Sequence, residues 1–368
     1  MESKRFCLCI PTYKRPELLE KLIMDVSHQT MQPQVIIVVD GNPGSGTVLK
    51  MLKRLSMPRS WAVLYIPSNY GNKPYQMYLG WASAKKYQSE ILLYLDDDLR
   101  IFQPNALEKT ITPIIKDDNV VGSSALTTTG NIDKLKDTGV LIDRRQWNET
   151  KKPVLVRWFG SCKNITPGNL GITGHGTIPQ NQGNDYELVQ WFSGRVMAFR
   201  MDALSNECFS PDLFALFSLG YGGTGEDKFI SRRVGSNGRL LFAFCASFHH
   251  PDDDLPTAYS HKPFRFGYAI AHSRRLLNDD CRVFKSPYFS DRLALVKSYI
   301  GTSLLNWWRA FTAPKRHRFA YAWGYTLGAF RGLIQKPTAE NLTPQINWRQ
   351  DAEAALRHAS IIQEGSNG

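Results

Sequence analysis

The sequence predicts an α/β protein built on a doubly wound, mostly parallel sheet, followed by a helical C-terminal extension. Three observations carry this. Over the first hundred residues, short apolar runs of strand length alternate in order with amphipathic segments of helix length. The strand runs are apolar at consecutive positions, as expected of strands covered on both faces. Beyond about Lys262 the strand signals give way to long aromatic and basic helical stretches.

In order, Phe6–Ile10 reads as a strand stopped by Pro11. Glu17–Ser27 reads as a helix with Leu18, Leu19, Leu22, Ile23 and Val26 on one face. The β-branched run Val35–Val39 is a buried strand ended by Asp40 and Gly41, and a helix over Thr47–Leu55 follows. Strand Ala62–Ile66, helix Tyr75–Tyr87 and strand Ile91–Leu95 lead to Asp96, Asp97 and Asp98. From Val121 to Gln190 the pattern loosens into loops rich in Gly, Thr, Asn and Lys. Val189–Arg200 reads as a strand, Phe209–Phe217 as aromatic core, and Gly220–Gly225 as a four-glycine loop before Glu226 and Asp227. Leu240–Phe248 is a buried strand ending at His249 and His250. Leu293–Ile300, Leu304–Phe311 and Phe319–Ile334 read as helices, with Lys315, Arg316 and Arg318 between the last two, and Glu364–Gly368 as a frayed end.

A chain of 368 residues has room for one large α/β domain plus an appendage, or two modest domains. With 42% hydrophobic and 21% charged residues, disorder is excluded as the main theme. The net charge of +12 suits an anionic partner: nucleic acid, an anionic membrane surface or a phosphorylated substrate. Cys7, Cys9, Cys162, Cys208, Cys245 and Cys281 form no C-x-x-C pair, so buried free thiols and a reducing cytosol are expected. The start of the chain is short and polar and predicts no signal peptide. No run reaches the roughly 18–20 apolar residues of a membrane span, so the sequons at Asn148, Asn164 and Asn341 are read as chance matches.

The chemistry concentrates where strands end, which is where doubly wound sheets bind ligands. Those ends carry Pro11–Thr12–Tyr13, Asp40–Gly41 and Asp96–Asp97–Asp98. Three adjacent carboxylates repel one another, and a divalent cation would remove that repulsion. Hard oxygen ligands suit Mn²⁺ or Mg²⁺, the latter usually held by one or two carboxylates plus phosphate oxygens. Glu226 and Asp227 read either as an acidic pair at a helix N-terminus or as a general base.

Five blocks together resemble the family 2 nucleotide-sugar glycosyltransferases of GT-A fold, a Rossmann-like architecture. They are Cys9-Ile-Pro-Thr-Tyr-Lys-Arg-Pro with Ser27-His-Gln-Thr, Val35-Ile-Ile-Val-Val-Asp-Gly-Asn, Asn69-Tyr-Gly-Asn-Lys with Leu93-Tyr-Leu-Asp-Asp-Asp-Leu, Trp191-Phe-Ser-Gly-Arg, and Gly225-Glu-Asp-Lys. The resemblance covers about residues 5–250. It implies residues 1–120 as the nucleotide-sugar-binding half, 121–260 as the acceptor and catalytic-base half, and 261–368 as the helical extension.

The resemblance further implies that Pro11, Thr12, Tyr13 and Arg15 line the nucleotide pocket, with Tyr13 stacking on the base and Asp40 accepting a hydrogen bond from it. The run from Asn69 to Lys73 would lie near the donor, Lys73 at its diphosphate. Asp96 would sit near the ribose and share the metal with Asp98, with Asp97 open as a nucleotide contact or ligand. Asp227 matches the catalytic base and Glu226 is the alternative. His249 or His250 would complete the metal or diphosphate site, and Trp191 and Gly194 would shape the acceptor pocket, whereas Arg195 and Arg200 are read as structural. The family often has Asp or Gly and then Ser after the Asp40 position; Asp40-Gly-Asn-Pro departs from that and leaves the base unidentified.

A single base without a carboxylate nucleophile favours inversion at the anomeric carbon. The partners implied are a nucleoside diphosphate sugar, a glycan or lipid-linked acceptor of cell-surface assembly, and an anionic membrane surface met by the basic, aromatic C-terminal region. A cytoplasmic protein, peripheral on the inner face of the membrane, follows. A sugar-phosphate nucleotidyltransferase would carry a Gly-rich loop after the first strand, which Pro11-Thr-Tyr-Lys-Arg lacks. A basic nucleic-acid-binding protein would leave the Asp cluster unexplained, and no nucleic-acid-binding motif is present.

Overall fold

The computed structural model describes residues 5–129, 183–220, 225–250, 262–283 and 289–365, with most of 168–181. Cys162, the sequons at Asn148 and Asn164, residues 221–224 of the four-glycine loop and the last three residues of the expected frayed end lie outside the described residues.

The first half follows the alternation read from the sequence: β1 (Phe6–Thr12), α1 (Pro16–Ser27), β2 (Val35–Asp40), α2 (Thr47–Arg54), β3 (Ala62–Pro67), α3 (Lys73–Ala84) and β4 (Ile91–Leu95). Strands β3, β2, β1 and β4 are adjacent and parallel. Consecutive side chains of each strand go to opposite faces. Cys7, Cys9, Ile37 and Val39 pack on one face with Met77, Leu79 and Trp81 of α3. Leu8, Ile10, Ile36 and Val38 pack on the other with Leu19, Leu22 and Ile23 of α1. Two apolar layers explain the unbroken apolar strands. Gly80 lets α3 lie directly on β1, since a Cβ there would stand 2.1 Å from the Cys9 sulfur.

Beyond β4 come α4 (Ala106–Lys116), β5 (Val120–Thr129), β6 (Tyr186–Val189), β7 (Val196–Arg200), α5 (Pro211–Gly220), α6 (Glu226–Val234) and β8 (Arg239–His250). They extend one sheet in the order β6-β8-β5-β7-β4-β1-β2-β3-β9, with β5 and β8 parallel and β7 and β6 antiparallel to their neighbours. The expected strand Val189–Arg200 is thus two strands joined by a turn, and that turn brings Gly194 and Arg195 beside the end of β4.

The C-terminal region is helical as expected: α7 (Pro263–Val283), α8 (Phe289–Thr312), α9 (Arg316–Ile334), α10 (Ala339–Leu342) and α11 (Trp348–Arg357). Leu293–Ile300 and Leu304–Phe311 form one helix, because Gly301 costs only about 1 kcal/mol within a long, packed helix. α7 and α9 meet backbone to backbone; a Cβ on Gly324 or Gly328 would stand 2.0 or 2.3 Å from the Phe264 or Tyr268 carbonyl oxygen. The chain then returns to the first half, where β9 (Ser360–Gln363) pairs antiparallel with β3. Among the described residues, no helix is long and apolar enough to cross a membrane, and Cys7, Cys9, Cys208 and Cys245 are free thiols.

Candidate active site

Parallel pairing places the ends of β1, β2 and β4 on one edge of the sheet. Thr12 stands beside Asp40, and Leu95 stands beside Val196 of β7. Gln76 of α3 ties that edge together by donating from Nε2 to the Thr12 carbonyl (2.8 Å) and the Val39 carbonyl (2.7 Å). Asn72 caps α3 by accepting from the Tyr75 amide (3.2 Å), and donates to the Phe214 carbonyl (2.7 Å).

Each strand-end carboxylate has its own protein partner. Asp96 forms an ion pair with Lys73, and its amide donates to the Arg195 carbonyl (3.0 Å). Asp97 accepts from the Thr12 hydroxyl (2.7 Å) and lies 3.5 Å from Arg15. Asp98 accepts from Arg15 (2.6 Å) and lies 3.4 Å from His250 Nε2. A divalent cation is therefore not needed to relieve the repulsion the sequence suggested; Lys73, Arg15 and His250 already oppose it. Burial still dominates at Asp97 and pushes its carboxyl up to about 6 against the pull of Thr12 and Arg15. At Asp98 burial also raises, but His250, Arg15 and Lys73 outweigh it and hold the group down to about 2.

His249 and His250 reach this edge because the Arg100 and His249 backbones exchange hydrogen bonds of 2.8 and 2.9 Å. The side chains then part: His250 turns to Asp98, while His249 is buried with its ring 5.9 Å from Phe102.

The acidic pair meets the same edge through Lys73. Its ammonium donates to the Gly194 carbonyl (2.8 Å), and the Gly194 amide donates to Asp227 Oδ2 (3.2 Å). A Cβ on Gly194 would stand 3.2 Å from Lys73 Nζ, 3.3 Å from Asp227 Cβ and 3.8 Å from Glu226 Oε1, so only glycine gives this spacing without a shift. Gly225, with φ of 86°, starts α6 and places Glu226 and Asp227 in its first turn, where the helix dipole favours carboxylates. Glu226 is buried; burial, then Asp227 nearby, raises its carboxyl to about 7. Asp227 is only half-buried, and its Oδ1 accepts from the Lys228 amide (2.8 Å).

Glycosyl transferase family 2 is the family whose sequence model matches residues 7–169. That segment, somewhat less than half of the chain, is similar to a family 2 glycosyltransferase domain. The fold of the whole chain is also similar to solved structures. A mannosyltransferase from Pyrobaculum calidifontis, solved with GDP-Man and Mn²⁺, is 12% identical with a TM-score of 0.45, over 90% of this chain and 87% of that one. TarS 1–349 from S. aureus, solved with UDP-GlcNAc, is 14% identical with a TM-score of 0.49, over 96% of this chain and 89% of that one. The curated protein sequences contain no match.

The family 2 segment contains Pro11, Thr12, Tyr13, Arg15, Asp40, Asn69, Lys73 and Asp96–Asp98, whereas Trp191, Gly194, Glu226, Asp227, His249 and His250 lie beyond it. The structure brings most of both groups together. Pro11 is buried, and Tyr13 is exposed with its ring over Gly71, whose Cβ would stand 2.5 Å from it. Asp40 is fully buried, accepting from the Asn42 amide (2.8 Å) and the Tyr65 hydroxyl (3.0 Å); burial raises its carboxyl. Asn69 is exposed at the start of the β3–α3 connection. Trp191 is half-buried, donates to the Thr177 carbonyl (3.1 Å) and lies 5.1 Å beneath the Lys228 ammonium. Arg200 pairs with Asp202 at the surface (2.5 Å), in keeping with a structural role.

Sequence reasoning missed Gln76, Tyr65 and the Arg195 carbonyl as supports of the site, and it placed Asn72 near the donor without its capping role. The first three act through contacts 25 or more residues apart and leave no local pattern.

Proposed function

We propose that this glycosyltransferase moves a sugar from a nucleoside diphosphate donor to an acceptor hydroxyl by single displacement with inversion, aided by a divalent cation. The observation that carries the reading is the continuous path Asp227–Gly194–Lys73–Asp96, which joins the helix-start carboxylate to the strand-end cluster.

The exposed Tyr13 ring offers a stacking face to the nucleotide base. Asp40 is fully buried with both oxygens hydrogen-bonded, so its contact with the base requires the end of β2 to open. Thr12 and Asp97 shape the pocket floor, and Asn69 stands at its rim.

The residues present fit a hard cation. Asp98 Oδ1 is buried with no hydrogen-bond partner among the described residues, and His250 Nε2 lies next to the same carboxylate. Those two side chains, together with Asp96, would hold Mn²⁺ or Mg²⁺, with donor phosphate oxygens and water filling the other positions; Asp96 pairs with Lys73 through one oxygen as Asp98 does with Arg15, which leaves each a second oxygen. Among the described residues, no group of three or more His, Cys, Asp and Glu side chains is arranged to hold a metal alone, which suits a cation that arrives with its diphosphate. Such a cation supplies charge stabilisation to the departing diphosphate.

Asp227 is the group for the acceptor proton. Backbone amides from Gly194 and Lys228 fix its carboxylate, and its partial exposure lets a hydroxyl approach. Glu226 behind it is buried and carries a raised carboxyl, which suits positioning rather than proton abstraction. Trp191, held by Thr177, offers a flat face to the acceptor sugar, and a glycan or lipid-linked acceptor of cell-surface assembly fits it.

Thermal shift across nucleotide sugars, with Mn²⁺ or Mg²⁺ and with chelator, tests the reading. Metal-dependent stabilisation by one donor class supports it; no response to any donor with metal present counts against it. An NMR spectrum of fresh product with retained anomeric configuration would remove the inversion step.

A further inference from the structure

The α8–α9 pair packs one side well and leaves the other bare. Trp307 stitches the helices from inside, its ring 6.3 Å from Trp323 and its indole donating to the Thr326 hydroxyl (3.1 Å). Leu304, Trp308 and Phe311 of α8 are exposed at helical spacing, as are Trp323, Phe330 and Ile334 of α9, with Phe311 and Trp323 each in ring contact with Trp307. Trp308, Phe311 and Ile334 are 66%, 67% and 70% exposed. Large side chains bared singly are ordinary, but aligned stripes on two packed helices mark an interaction surface.

The charge of this segment says what covers it. Residues 292–339 contain no Asp or Glu and eight Lys or Arg, four of them (Arg309, Lys315, Arg316 and Arg318) near the helix–helix turn. A second copy of the chain would bring the same unopposed positive charge to the contact. An anionic bilayer surface instead supplies the opposite charge together with an apolar layer for the bare side chains, and Trp suits the boundary between them.

We propose that the outer face of α8 and α9 docks on an anionic lipid bilayer, with Trp308, Phe311, Phe330 and Ile334 in the headgroup–acyl boundary and Arg309, Lys315, Arg316 and Arg318 on lipid headgroups. The surface stands apart from the glycosyl-transfer reading, and either can fail alone.

The test is flotation of the full-length chain with vesicles of phosphatidylcholine alone or mixed with phosphatidylglycerol, beside Trp fluorescence. Wild type is expected to float with the mixed vesicles, to shift its emission to the blue, and to be released by salt. Lys315→Ala/Arg316→Ala/Arg318→Ala is expected to bind on the order of a hundredfold more weakly, at about fivefold per basic residue. Trp308→Ser/Trp323→Ser/Phe330→Ser is expected to lose the emission shift while keeping a melting temperature near the wild-type value, since all three residues are more than half exposed. Equal binding to the neutral vesicles, no flotation at all, or a concentration-dependent dimer that shields Trp308 without vesicle binding would overturn the proposal.

Discussion

The strand-end edge of the sheet and the outer face of α8–α9 handle charge and apolar surface in opposite ways. At the sheet edge Asp96, Asp97 and Asp98 are each matched by Lys73, Arg15, Thr12 or His250, within a protein whose apolar strands are covered on both faces. Around the α8–α9 turn Arg309, Lys315, Arg316 and Arg318 have no acidic neighbours in sequence, and Trp308, Phe311 and Ile334 are largely exposed. A matched cluster with one orphaned oxygen is prepared for a small charged ligand. An unmatched, apolar face is prepared for an extended partner.

Substitution separates the two regions most sharply by size of effect. Asp227→Asn can keep only one of the two amide hydrogen bonds, from Gly194 or from Lys228, and removes the proposed base; it is expected to lower kcat by about 10²–10⁴-fold, measured as nucleoside diphosphate release. A loss confined to KM would move the base elsewhere. Glu226 comes next. Its native carboxyl is raised from 4.5 to about 7, so its contribution to stability is full below about pH 4.5 and is lost as the pH rises through about 7. Glu226→Gln stays neutral throughout. Wild type is therefore expected to lose a few kcal/mol relative to this variant between pH 4.5 and 8, read from urea unfolding at each pH. Parallel curves for the two proteins would contradict the burial argument.

Lys73→Met leaves Asp96 without its partner, and the two side chains are each 22% exposed, so screening moderates the cost. A loss of about 2 kcal/mol in unfolding free energy is expected. At the other region, Trp308→Ser is expected to change stability by no more than about 0.5 kcal/mol in the same measurement. A larger loss would mean that Trp308 packs against protein and would blur the contrast between the regions.

Legibility in the sequence differed along the same line. Strand Ile91–Leu95 was readable to the residue, because an unbroken apolar run ending in three aspartates allows little choice. Val189–Arg200 misled, because hydropathy alone does not show that Gly194 and Arg195 sit in a turn between two strands. Strand β9 was missed: four residues, half exposed, are defined only by pairing with β3. Within the site, residue types pointed to the carboxylates and left His249 and His250 on equal terms, while the choice of Asp227 over Glu226 came from the family resemblance. The pairing of Asp96 with Lys73 and the sharing of Arg15 by Asp97 and Asp98, the separation of His249 from His250, and the clamp made by Gln76 arise from contacts far apart in the chain, so no local spacing encodes them. The C-terminal helices were legible as helices, but only their packing shows which aromatics remain on the surface, Trp308 rather than Trp307.

The central claim is that the sheet edge activates a nucleoside diphosphate sugar around Asp98. The most direct measurement is nucleoside diphosphate release from a panel of donors by wild type and Asp98→Ala, each with Mn²⁺ or with chelator. The expected result is release from one donor class by wild type with metal, falling at least about a hundredfold with chelator or in the variant. Equal release by wild type and Asp98→Ala, with or without metal, would contradict the account.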